Sequence, residues 1–87
     1  MQYQIEFNKT ASKELLKISA QDRNRIAVKI SNLAANPLPV GSKKLAGLNS
    51  YYRIRIGNYR VIYKIENDRL VILVVAVGHR REVYRGF

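Results

Sequence analysis

The 87-residue chain has no cysteine, one histidine and six acidic residues. Without cysteine, neither disulfides nor a Cys-based zinc site can stabilise so short a chain, and one histidine cannot build a His-rich metal site. Metal catalysis is therefore disfavoured and no cofactor is expected. No apolar run reaches the ~18 residues that span a bilayer. The start, Met1-Gln2-Tyr3-Gln4-Ile5-Glu6-Phe7, lacks the basic and apolar stretches of a signal peptide, which points to a cytoplasmic protein. The scarcity of acids leaves sixteen Lys and Arg largely unopposed, for a net charge of +10 and a pI near 10.3. That excess favours a polyanionic partner, whether nucleic acid, anionic membrane or acidic protein. An apolar fraction of 47% is ordinary for a globular domain, so the charge sits on a folded body. We expect one domain, 1–87, burying only about 60 to 65% of the surface its unfolded chain exposes.

Tyr3, Ile5 and Phe7 alternate with polar residues, the period of a half-buried strand. Asn8 is placed to cap a helix over 9–18, with Ala11, Leu15 and Ile18 at helical spacing. Ser19-Ala20-Gln21-Asp22 resembles a capping box, and Ile26, Ile30, Leu33 and Ala34 mark one face of a second helix that must stop near Asn36-Pro37. Residues 37–50 hold both prolines and two glycines and read as a connector. Residues 51–56 and 59–65 then alternate as strands around the two-residue loop Gly57-Asn58. Asn67-Asp68 reads as a second two-residue turn into Leu70–Val77, an apolar run that suits a central strand covered on both faces. The expected fold is α+β, β-α-α-β-β-β, with the helical hairpin on one face of a small antiparallel sheet and the other face available for function.

The Gly57-Asn58 loop sets a register in which Ile56 opposes Tyr59, Arg55 opposes Arg60, Arg53 opposes Ile62 and Tyr52 opposes Tyr63. One face then collects Tyr52, Ile54, Ile56, Tyr59, Val61 and Tyr63; the other collects Arg53, Arg55 and Arg60 with Ile62. Opposed like charges on a sheet are destabilising by a few tenths to about 1 kcal/mol. No acidic residue lies between Lys43 and Lys64 to offset them. An external anion would offset them, and guanidinium forks suit a phosphate. The plain alternative is a solvated basic face. A two-residue second turn makes Arg60 oppose Val75, so the end of the last strand is expected beside the arginines, with His79 sharing their parity.

His79, Arg80, Arg81 and Tyr84 would then join Arg53, Arg55 and Arg60 along one edge. A lone histidine is often only a surface or packing residue, and Tyr84 equally suits a core or edge. RNA carries its own nucleophile, the 2′-hydroxyl, so scission needs a base, an acid for the leaving 5′-oxygen and cations for the phosphorane, without a metal. Arginine stabilises charge but is a poor base. Histidine is the side chain whose ordinary pKa lies near neutrality, whereas Lys43, Lys44 and Lys64 would need a depressed one. An aromatic ring such as Tyr84 can hold an unpaired base. Lys43, Lys44, Arg53 and Arg81 are candidate phosphate contacts.

The stretches Tyr52-Arg53-Ile54-Arg55, Asn58-Tyr59-Arg60-Val61-Ile62-Tyr63 and Val77-Gly78-His79-Arg80-Arg81-Glu82-Val83-Tyr84 together resemble the RelE/ParE superfamily of toxins from type II toxin-antitoxin systems. The resemblance covers nearly the whole chain. Its RelE branch implies a metal-independent ribonuclease that cuts mRNA in the ribosomal A site, leaving a 2′,3′-cyclic phosphate and a 5′-hydroxyl. It further implies an acidic RelB-like antitoxin as partner, no membrane partner, and contact with operator DNA only through the toxin-antitoxin complex. By position, Arg53 and Arg55 stand where relatives carry lysines, one of them the general base. Arg60 matches the arginine that stabilises the transition state, Arg80 an acid or phosphate ligand, and Tyr84 the stacking tyrosine. The lysine-to-arginine departure leaves the base open, with His79 as the neighbouring substitute. The chain ends at Phe87 without the C-terminal helix of some members. Two alternatives stand beside this reading: a ParE-like toxin that poisons gyrase and cuts no RNA, and a non-catalytic RNA-binding or corepressor module.

Overall fold

The computed structural model describes residues 2–79. Along the chain run β1 (Gln4–Phe7), α1 (Lys9–Leu16), α2 (Ala20–Asn32), β2 (Lys43–Lys44), β3 (Tyr51–Ile56), β4 (Tyr59–Glu66) and β5 (Val71–His79). The strands form one sheet in the order β1-β5-β4-β3-β2. The two helices lie against one face of it, as expected. No helix of the described residues is long and apolar enough to cross a membrane.

The helix starts follow the sequence closely. Asn8 Oδ1 accepts from the Ala11 N–H at 2.8 Å, and Ser19 Oγ accepts more loosely from the Asp22 N–H at 3.5 Å. α2 ends earlier than the proline alone implies. Leu33, Ala34 and Ala35 donate back to Ile30, Ser31 and Asn32, a tightened i to i−3 turn that closes the helix before Pro37 arrives.

The sheet is mixed rather than purely antiparallel, because β1 runs parallel to β5. A parallel pair needs a crossover connection, and the α1-α2 hairpin begins one. A short strand also appears inside the expected connector: Lys43 and Lys44 pair with Arg53 and Tyr52. The β3–β4 register is the expected one throughout, including Arg55 opposite Arg60. Gly57, at φ 59, takes the first loop position, where a tight hairpin turn requires left-handed backbone.

The second hairpin departs from expectation in two ways. Its turn spans four residues, with Leu70 at φ 53, so Glu66 pairs with Val71. A bulge then shifts the register between Ile62 and Tyr63, leaving Val75 as the extra residue on β5. The longer turn preserves face parity and the bulge inverts it. Arg60 therefore opposes Gly78 instead of Val75, and His79 opposes Tyr59.

The main core joins Ala11, Ile26, Ile30 and Leu33 of the helical layer to Ile54, Ile56, Val61, Tyr63, Ile72, Val74 and Val77 of the sheet. β5 is central, as its composition implies, and a smaller cluster of Ile62, Val75 and Ala76 covers its other face with Leu45, Tyr51 and Leu73.

Candidate functional site

Three strands place the basic groups. Alternation along β3 sends Tyr52, Ile54 and Ile56 toward the helices, so Arg53 and Arg55 face away from them. Arg53 is buried at 7% relative exposure, between Lys43 of β2 and Ile62 of β4. Arg55 is exposed and Arg60 half-buried. Neither Arg53 nor Arg55 forms an ion pair with a described carboxylate. Three of the described acids are paired elsewhere: Glu6 and Glu66 with Arg69 at 3.7 and 2.9 Å, and Asp22 with Arg25 at 3.6 Å. Positive potential is thus concentrated on the β2-β3-β4 side of the sheet.

The register sorts the remaining candidates. Lys43 pairs with Arg53 and joins the arginine group, whereas Lys44 pairs with Tyr52 and has the opposite parity. Lys64 is taken up by the Tyr51 ring, 5.8 Å from its centroid, and by Glu66 at 3.9 Å. His79 does not share the parity of Arg60. It packs edge-on against Tyr59, with ring centroids 5.8 Å apart, in a cleft of about 270 Å³ that Glu14 and Lys17 also line. The bulge at Val75 is the physical reason, since one extra residue exchanges the faces beyond it. Arg80, Arg81 and Tyr84 lie outside the described residues.

A larger cavity of about 380 Å³ opens beside β3. Arg53, Arg55 and Lys43 line it together with Lys29 and Asn32 of α2. Reading the chain by strand parity missed the α2 pair. Their spacing from Arg25, four and seven residues on, puts all three along one flank of the helix, but periodicity does not say which flank meets β3.

This arrangement can bind an anion on a rigid cationic surface, with a cavity beside it for whatever the anion carries. The family model described as the ParE toxin of the type II toxin-antitoxin system parDE matches residues 5–84. The chain belongs to the RelE/ParE superfamily of toxins. Within it the toxin is similar to the mRNA interferase toxin RelE of Escherichia coli K12, 30% identical over 97% of this chain and 92% of that one. The free-state structure of a mutant of E. coli RelE superposes with a TM-score of 0.83 at 28% identity, covering 97% of this chain and 92% of that one. The RelE chain of the archaeal RelE-RelB complex of Pyrococcus horikoshii does so at 0.81 and 28% identity, over 94% and 99%. The toxin is thus RelE-like in fold as well as in sequence.

Proposed function

We propose that this toxin is an endoribonuclease that cuts mRNA in the ribosomal A site. The observation that carries this reading is the cross-strand pair Arg55–Arg60 beside the buried Arg53. Like charges placed directly opposite each other repel across a sheet, while a pentacoordinate phosphorane gains charge stabilisation from both guanidinium groups. The 2′-oxygen loses its proton and attacks phosphorus, the bond to the 5′-oxygen breaks, and that oxygen leaves with a proton. The products are a 2′,3′-cyclic phosphate and a 5′-hydroxyl. Arg55 and Arg60 hold the equatorial oxygens. The base must reach the same face; among the described residues Lys43 shares it, and His79 lies on the Tyr59 side. Arg80 as acid or phosphate ligand, Arg81 as phosphate contact and Tyr84 as stacking ring complete the proposed set. Relatives named as RelE-RelB complexes support an acidic RelB-like antitoxin as inhibitor, held by the same positive surface.

Mapping 5′ ends on programmed ribosomes tests the reading. Cleavage within the A-site codon is expected, with Arg60→Ala slower by about 10²- to 10³-fold, as for removal of one transition-state donor. No cleavage, together with gyrase inhibition, would establish the ParE-type activity instead. Neither effect, with RNA binding retained, would leave a non-catalytic module.

A further inference from the structure

The cavity beside β3 exceeds what a phosphate on the Arg55–Arg60 pair requires. Its existence follows from the two-residue length of β2, which pairs only with Tyr52 and Arg53. Among the described residues no strand lies against the Ile54–Ile56 edge of β3 there, and α2 with the 39–41 turn borders a space of about 380 Å³. That volume lies at the lower end of the roughly 300 to 1,000 Å³ of pockets that hold small organic ligands.

Three features describe the occupant. Four cations from three elements, Lys29, Lys43, Arg53 and Arg55, line the space, and no carboxylate is among its described lining residues. Lys29 alone is accounted for by the C-terminal dipole of α2, but the other three are not. Arg53 is more than nine-tenths buried, and a charge held in that environment interacts strongly with a counter-charge brought to it. Finally, the wall is amphipathic: Pro39 and Val40 form one side, with Val40 fully exposed to water, and the Asn32 amide forms part of another. An aliphatic side chain standing free at the rim of a cationic cavity contributes nothing to the core. Anionic, planar-apolar and hydrogen-bonding surfaces together describe a nucleotide better than a carboxylate side chain, which has no apolar face to offer Val40.

Arg55 belongs to both sites, since it pairs with Arg60 and lines the cavity. We infer that the cavity holds the nucleotide adjacent to the scissile phosphate, with Lys29 on its phosphate, Asn32 at its base edge and Val40 against its base. The inference rests on the ribonuclease reading and adds α2 and the 39–41 turn to the substrate surface. Single-stranded RNA is the fitting class, because a base must leave its stack to enter.

The test uses the full chain and a 5′-phosphorylated, 2′-O-methylated trinucleotide that cannot be cut. Lys29→Gln and Val40→Asp alter exposed side chains, and thermal unfolding checks that both variants stay folded. Each is expected to weaken trinucleotide binding by about fivefold or more, and Lys29→Gln to flatten the salt dependence. An abasic flanking unit should weaken binding to the unsubstituted chain but have little further effect on Val40→Asp. If both variants bind as the parent does while Arg60→Ala binds weakly, the cavity inference is overturned and RNA binding at the arginine pair stands. If the parent ignores the trinucleotide but binds a glutamate-rich peptide in a Lys29-dependent way, the occupant is an acidic protein segment and the inference fails. If the variants weaken binding as expected but ribosomes are not cut, nucleotide binding in the cavity stands, while its place beside a scissile phosphate falls with the ribonuclease reading.

Discussion

Tyr63 shows how a polar side chain is accommodated inside this small core. It is fully buried, stacks on Tyr52 with ring centroids 6.1 Å apart, and donates its hydroxyl to the Pro37 carbonyl at 2.6 Å. Burial pushes its phenol up to about 12, against a smaller lowering by the Ser42 hydroxyl and with a minor raising contribution from Tyr52. Between pH 10 and 12 the folded chain therefore keeps a proton that the unfolded chain releases. The associated stabilisation is complete below pH 10 and is lost as pH rises through about 12. Tyr63→Phe should cost about 1 kcal/mol at neutral pH through the lost hydrogen bond. The gap between parent and variant in urea unfolding should narrow across the alkaline window; a constant gap would contradict the assignment. Arg55 behaves in the opposite sense. Arg55→Thr removes one of two opposed charges, so stability should hold or rise by up to about 1 kcal/mol while RNA cleavage falls. Strong destabilisation would show that Arg55 serves the fold.

At the level of elements, α1 and β5 are joined by a contact that no local pattern announces. β1 accompanies β5 only as far as Val74, and three residues on, the Val77 N–H donates to Glu14 Oε1 of α1 at 3.0 Å. A helix side chain thus takes over where the parallel strand stops. Glu14→Ala leaves the N–H of a buried residue unpaired and should destabilise by about 1 to 3 kcal/mol, whereas Glu14→Gln keeps an acceptor and should lose less. Faster amide exchange at Val77 in the alanine variant alone is the accompanying signature. The first hairpin was readable in full because Gly57-Asn58 and the flanking alternation agree on a single register. The second was not: Asn67-Asp68 resembles a two-residue turn, yet Leu70 extends it in left-handed backbone, and the bulge at Val75 lies in an unbroken aliphatic run that carries no mark of it. Any face assigned to His79 by counting is therefore inverted.

For the molecule as a whole, the charge of +10 acquires direction. Arg69 gathers Glu6 and Glu66, Arg25 holds Asp22, and Arg53 and Arg55 of β3 line one cavity with Lys43 and Lys29. Affinity for single-stranded RNA should fall with a log–log salt slope near −0.7 per phosphate neutralised, so about four contacts give roughly −3. A titration of binding against salt checks this, and a flat response would remove phosphate contacts from the account. The sequence by itself determined the order of most elements, the helix caps, the apolar and basic faces of β3 and β4, and the opposition of Arg55 to Arg60. These depend on local periodicity and turn chemistry, which act over a few residues. Only the tertiary structure decided that β1 runs parallel to β5, that a bulge carries His79 to the Tyr59 side, and that Lys29 and Asn32 meet Arg53 and Arg55 around one cavity. Each of those outcomes depends on how separate elements pack against one another, and no spacing within a single element encodes it.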